Sequence, residues 1–239
     1  MANATMNDTN LLNKFNERHN KEIVPFYEDR EDRNRWASSI IREFPGTKIL
    51  NLGGGGRRHL EKHLGSQWGV HEIDITGDCD TRLNLDQIDR LPFGDDFFDT
   101  SCAFEVLEHL EQFHLIAREM YRVSKSTILI SLPNAAVEAL FILRNQKFFD
   151  DPVAYGVYSK FNGLPLEEPE DRHRWWFTFE DIVRYFIQFE ADKSCTVEFY
   201  IPEPDPTIKR KLFRLMTGDR IFLNFFCTNV WIKISKNTI

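Results

Sequence analysis

A doubly wound α/β fold on a mostly parallel sheet is what this sequence predicts, and three observations predict it. Short β-prone runs alternate with helical stretches between Lys48 and Leu132, four glycines follow the first run directly, and a carboxylate, Asp74, ends the second. The 239 residues suffice for one such domain with a modest insertion.

Taken in order, residues Met1 to about Asn20 are polar with scattered apolar side chains and no clear period, the pattern of disordered chain or a loose helix. Residues 1–27 are therefore set apart as an N-terminal polar segment, and 28–239 as a single domain. From Glu28 to Phe44, Trp36, Ile40, Ile41 and Phe44 recur at helical spacing, and Pro45-Gly46 supplies the stop. Lys48 to Leu52 is an apolar β-prone run, Arg57 to Leu64 is helical, and Gly69 to Ile75 is a second strand. Two strands joined by a crossover helix must pair in parallel. Further strands are expected at Thr100 to Phe104 and Ser126 to Leu132, with a helix over about Val106 to Val123 between them. Beyond Pro133-Asn134, residues 135–176 mix a short apolar helix with turn-rich aromatic sequence, an insertion expected to cap the site. Thr178, with Glu180 and Asp181 behind it, opens a helix to Phe189. Strands over Thr196 to Ile201 and Phe225 to Ile234, with a helix over Ile208 to Met216 between them, complete the chain.

The glycines of Gly53 to Gly56 let the backbone turn sharply after a buried strand and approach a ligand that a Cβ would exclude. Alone they are equally a plain turn. Asp74 lies 21 residues after Gly53, close to the offset of about 20 at which an acidic side chain meets a ribose. A dinucleotide would need a GxGxxG spacing, and the sixth position from Gly53 is Arg58, which argues against a nicotinamide cofactor.

Four segments in this order resemble the class I S-adenosylmethionine (SAM)-dependent methyltransferases, in the branch of methyltransferase type 11-like domains. They are the glycine loop with Asp74, the acid-led LPF segment from Asp86 to Phe93, Glu105-Val-Leu-Glu108-His109, and Ser131-Leu-Pro-Asn134. Asp95-Asp-Phe-Phe-Asp99 leads into the fourth strand as in that family, and the resemblance spans about Lys48 to Asn134. It implies a Rossmann-like, seven-stranded sheet with an antiparallel C-terminal strand and an insertion after strand 5. It also implies SAM as cofactor and S-adenosylhomocysteine as product. The residues it places around SAM are Asn51, Gly53, Gly54 and Gly55 at the amino-acid part, Asp74 and Ile75 at the ribose, and Asp86 and Gln87 at the adenine. Glu105 would border the methionine moiety or the acceptor. Asp86 capping a turn and Glu105 capping the next helix are the plainer alternatives. Two positions depart from the family: Asn51 stands where an acid is frequent and Arg57 where a third glycine is. Asn51 can order the loop by hydrogen bonds but carries no charge towards the ligand's ammonium group.

Methyl transfer from a sulfonium needs an aligned acceptor and, for a hydroxyl, a group to take its proton. His173 and His109 are the candidate catalytic residues, since a histidine titrates near neutral pH. The plainer alternatives are that His109 orients its helix, and that Asp171, Arg172 and His173 form a structural network or an exposed loop. The stretch from Gly163-Leu-Pro-Leu166 through Asp171-Arg-His173 to Trp176-Phe-Thr178 is similar to methyltransferases of bacterial surface-glycan gene clusters. Arg172, Trp175 and Trp176 are the candidate acceptor-binding residues, the two indoles by stacking on a ring.

Composition narrows the classes further. A formal net charge of −7 without a long Lys/Arg run argues against a nucleic-acid partner. Four scattered cysteines with no CxxC pair, and no His or Cys at ligand spacing, give no metal site and fit reduced thiols in the cytoplasm. No apolar run of 18 residues predicts a membrane span. Twenty-one Phe and five Trp exceed what such a core usually needs; core packing is the plainer account, and a pocket or a homo-oligomer associating through the aromatic insertion is the alternative. The sequence is thus read as a SAM-dependent enzyme methylating an oxygen of a small molecule or glycan. A non-catalytic SAM-binding protein is the alternative from another class. An N- or protein methyltransferase is disfavoured by Ser131-Leu-Pro-Asn134 standing where amide and amino-group methylation uses an Asn/Asp-Pro-Pro-aromatic signature.

Overall fold

The structure, a computed structural model, describes residues 8–20, 24, 27, 29–144, 172–202 and 207–237. Its centre is a seven-stranded sheet of order β3-β2-β1-β4-β5-β7-β6. The strands are β1 (Lys48–Leu52), β2 (Gly69–Asp74), β3 (Thr81–Arg82), β4 (Phe98–Phe104), β5 (Ser124–Pro133), β6 (Cys195–Tyr200) and β7 (Asn229–Lys236). β1 pairs in parallel with β2 and with β4, Asn51 facing Glu72 on one side and Cys102 on the other. Only β7 runs against the rest, inserted between β5 and β6. Strand order reverses between β1 and β4, the switch point outside whose carboxyl ends such sheets bind ligands.

Side-chain alternation explains why helices cover both faces. Leu50, Leu52, Ile128, Ile130, Ile232 and Ile234 point into one core, beneath helices α1 (Asp8–Arg18), α4 (Phe113–Val123), α6 (Phe179–Lys193) and α7 (Ile208–Phe226). Ile49, Cys102, Leu129 and Trp231 point into the other, beneath α2 (Arg30–Ile41) and α3 (His59–Leu64). A seventh helix, α5 (Ala135–Arg144), leaves β5 directly. Sheets buried on both faces read as near-continuous apolar runs, as Ile128 to Leu132 of β5 do here with only Ser131 interrupting.

Several element expectations need correction. Residues 8–20 are not loose: α1 buries Leu11 and Phe15 against the sheet, and Arg18 pairs with Glu190 of α6 at 2.7 Å. His19 and Val24 then bridge to Phe199 and Pro202, so this segment runs along the edge of β6. Phe225 and Phe226 belong to α7, which continues past Met216 across a break at Gly218 (φ +78°), and β7 starts only at Asn229. β3 carried no sequence signal because it is two polar residues long. Thr178 and Asp181 close a reciprocal capping box at the start of α6, as expected, but the helix runs on to Lys193. Within 135–176, residues 145–171, including Gly163 to Leu166 and Asp171, lie outside the described residues. No described helix is long and apolar enough to cross a membrane.

Candidate active site

The glycine loop joins β1 to α3, and Gly53, Gly55 and Gly56 all adopt the left-handed backbone (φ +65°, +75° and +61°) that disfavours a side chain. Gly54 is excluded from substitution by space instead. A Cβ there would stand 2.2 Å from the carboxylate of Glu72, and one at Gly53 would stand 2.5 Å from Val106 Cγ2. The loop is therefore pressed between β2 and the turn that follows β4.

Asp74 fixes that loop. Its Oδ2 accepts from Gly55 N at 2.8 Å and its Oδ1 from Thr76 N at 3.1 Å. A carboxylate has about four lone-pair sites, so each oxygen can still take a ribose hydroxyl. Ile75, next along, is 60% exposed, an apolar side chain left at the carboxyl end of the sheet where a ligand would cover it. Asp86 sits in a single 3₁₀ turn (Leu85–Gln87) capped by Asn84, and Gln112 is tied to it by a backbone N–H to Oδ1 (3.2 Å) and by Nε2 to the main-chain oxygen (2.8 Å). Gln87 is exposed beside it.

Asn51 is wholly buried and donates through Nδ2 to Glu72 Oε2 at 3.2 Å. The acidic group absent from the end of β1 is thus present one strand away. Glu72 is 1% exposed, and burial pushes its carboxyl above the usual range, with Asp74 adding to the rise. Arg57 and its neighbour Arg58 lie where the loop passes into α3; Arg58 takes a left-handed backbone (φ +50°) and pairs with Asp78 at 3.0 Å and Asp80 at 3.2 Å.

Glu105 ends β4 in a left-handed conformation (φ +54°), costly for a residue with a side chain and frequent at functional sites. It does not cap a helix. Its carboxylate accepts from Tyr27 at 3.1 Å and forms an ion pair with Arg33 of α2. Burial, then the charge of Glu105, holds the Tyr27 hydroxyl well above its ordinary value, so Tyr27 is a donor here. Neither Tyr27 nor Arg33 was foreseen from the sequence.

Two residues further on, the chain forms a 3₁₀ turn (Leu107–His109) and meets the segment 172–178. Arg174 N and Trp175 N both donate to Glu108 O (2.8 and 3.2 Å), and Trp175 Nε1 donates to Leu110 O at 2.7 Å. These bonds lay His173 edge-on against His109, ring centroids 4.5 Å apart. His173 Nδ1 also lies 3.9 Å from Glu138 Oε2 of α5. The His173 side chain is 2% exposed, which rules out the exposed-loop reading. Glu108 joins the pair: one ligand atom from each of Glu108, His109 and His173 lies within 4.8 Å of the other two. Glu108 is 1% exposed, and burial followed by the charge of Glu105 drives its carboxyl well above the usual range. The expectation of no metal site rested on linear spacing; folding brings Glu108, His109 and His173 close enough together to hold an ion, because His173 arrives from beyond the fifth strand.

Of the expected acceptor-binding residues, Trp175 and Trp176 line a cavity of about 290 Å³ with Phe113, His114, Phe177 and Tyr185. Trp176 is 58% exposed, while Trp175 packs between His114 and Phe113. Arg172 is half-buried beside His173 in sequence.

Comparison with known proteins bears on this geometry directly. Residues 65–130 match the family model for the methyltransferase domain. That match and the sheet order together point to a class I SAM-dependent methyltransferase fold. Its fold is similar to the methyltransferase domain of a bacterial Hen1, CtHen1-C (TM-score 0.53, 15% identity, covering 87% of this chain and 98% of that one). It is also similar to the small RNA methyltransferase HEN1 (0.54, 13%, covering 92% of this chain and 27% of that longer one). A third such structure is a SAM-dependent methyltransferase of Listeria monocytogenes (0.50, 16%, covering 86% and 98%). At these identities the likeness speaks for the fold. No curated protein matches the sequence. SAM is the cofactor that family match and fold indicate, and the glycine cradle, the carboxylate of Asp74 and the bare Ile75 fit it.

Proposed function

We propose that the protein transfers the methyl group of SAM to a hydroxyl oxygen of a small molecule or glycan, at the cluster of Glu108, His109 and His173. The observation that carries this is the docking of His173 onto the turn after β4, where it meets two groups able to hold a proton. That turn is continuous with the SAM loop, since Val106 packs on the Cα of Gly53. SAM supplies a methyl carbon on a sulfonium leaving group, so that one O–C bond forms as one S–C bond breaks. The residues of this chain do the rest. Asn51, Gly53 to Gly55, Asp74, Ile75, Asp86, Gln87 and Glu105 bind and orient the cofactor. The Glu108, His109 and His173 cluster takes the hydroxyl proton. The cavity beneath Trp175 and Trp176, with Arg172, receives the acceptor, whose rings would stack on indole.

The test is a screen of nucleotide sugars, glycan fragments and small alcohols with methyl-labelled SAM, on wild type and on His173→Ala. The variant should bind SAM as wild type does and transfer label at least about 100-fold more slowly, the lower end of a general-base contribution. Equal turnover on the acceptor that wild type methylates would remove His173 from the reaction. Label recovered on nitrogen would refute the choice of hydroxyl.

A further inference from the structure

We propose that Glu108, His109 and His173 form a binding site for a divalent first-row transition-metal ion, which takes the acceptor's hydroxyl oxygen as a further ligand. This rests on the methyl-transfer reading above for the ion's role, but its binding does not.

The first support is geometric. The three ligand atoms lie within 4.8 Å of one another, and ligands about 2.1 Å from one tetrahedral ion stand about 3.4 Å apart, a closure shared between two side chains for each pair. Closing the set on one ion needs side-chain shifts of under about an ångström. The second support is an unmet need. Glu108 is 1% exposed, and its Oε2 has no hydrogen-bond partner among the described residues. Buried carboxylates are paired or coordinate metals. The nearby cation, Arg33, is already committed to Glu105 by an ion pair. Glu138, 3.9 Å from His173 Nδ1, lies where a second-shell carboxylate orients a ligating imidazole.

Ligand chemistry selects the ion class. Two imidazole nitrogens with one carboxylate suit first-row transition ions, whereas Mg²⁺ and Ca²⁺ favour sets made wholly of oxygen. Three protein ligands leave positions open, as a catalytic rather than a structural site does. A hydroxyl bound to such an ion loses its proton at a lower pH than when free. With the ion bound, its Lewis acidity replaces proton uptake by the cluster itself: the oxygen–hydrogen bond breaks, its proton passes to solvent, and the oxygen forms its bond to the methyl carbon as the sulfonium bond breaks.

The experiment is calorimetric titration of chelator-treated protein with Mn²⁺, Co²⁺, Zn²⁺ and Mg²⁺, repeated on Glu108→Gln and His173→Ala, with SAM titrated in parallel. Wild type should bind one transition ion per chain, more tightly than Mg²⁺, and each variant should bind it about 100-fold more weakly. A variant-free readout accompanies this: Mn²⁺ should broaden the ring resonances of His109 and His173 while leaving His19, His59, His63 and His71 sharp. No transition-ion binding by a protein that binds SAM would overturn the proposal, as would unchanged affinity in both variants or broadening at other histidines. Ion binding at His109 and His173 without SAM binding would uphold the site and sink the methyl-transfer reading instead.

Discussion

Replacing Asp74 removes more than a contact to the cofactor. Its two oxygens each hold a backbone N–H, Gly55 at 2.8 Å and Thr76 at 3.1 Å, and the first of these belongs to the loop that would cradle SAM. On the proposed site, Asp74→Ala should therefore lose a charge-assisted ribose contact and also release the loop. One hydrogen bond to a charged group contributes about 1.5 to 3 kcal/mol, which converts to a roughly 10- to 150-fold weaker Kd for SAM. Asp74→Asn discriminates the two effects. An amide keeps one acceptor end and turns the other into a donor, which must then face the N–H of either Gly55 or Thr76. The Asn variant should accordingly bind SAM nearly as weakly as the Ala variant, although its shape is unchanged. Calorimetry with SAM and thermal unfolding of the ligand-free variants provide the assay. A Kd within about twofold of wild type for Asp74→Ala, a difference of only about 0.4 kcal/mol, would refute the reasoning.

Other expectations follow from buried groups. Burial raises the Glu72 carboxyl above its unfolded value, so the folded chain keeps a proton that the unfolded chain has lost. The stability this gives is complete below the unfolded pKa and is lost as pH rises from there through the folded one. Glu72→Gln should therefore gain in melting temperature relative to wild type between about pH 4 and neutrality; a difference that stays constant with pH would contradict the account. Among the four cysteines, Cys102 and Cys227 are fully buried with thiols pushed up by desolvation, and burial raises Cys195 to about 11. An aromatic disulfide reagent should thus modify the native chain at Cys79 first, and mapping of prior label to Cys102 or Cys227 would show the core to be open.

What was legible in the sequence was local or repetitive. Strand, glycine loop, helix and second strand follow within one stretch, so the parallel pairing of β1 with β2 was legible from their order, whereas the bond from Gly55 N to Asp74 was not. The antiparallel end of the sheet was legible only through family resemblance. Less readable were groups whose partners lie far along the chain. Tyr27 reaches Glu105 from the segment read as polar, and Arg33 from among the charges of the helix read over Glu28 to Phe44. His173 is held to Glu108 by backbone bonds, which leave no side-chain signature. Glu72 was overlooked because a charged residue within a strand reads as facing water, whereas here it lies under Gly54. The Phe-rich end of α7 fits either a helix or a strand by periodicity, and packing of Phe222 and Leu223 into the core decides it.

The account's central claim is that the carboxyl ends of β1, β2 and β4 form one SAM site. Calorimetric titration of the wild-type chain with S-adenosylhomocysteine tests it most directly, because the product binds without turnover. The account predicts one saturable site per chain, weakened by Asp74→Ala. Absence of saturable binding by folded protein would contradict it.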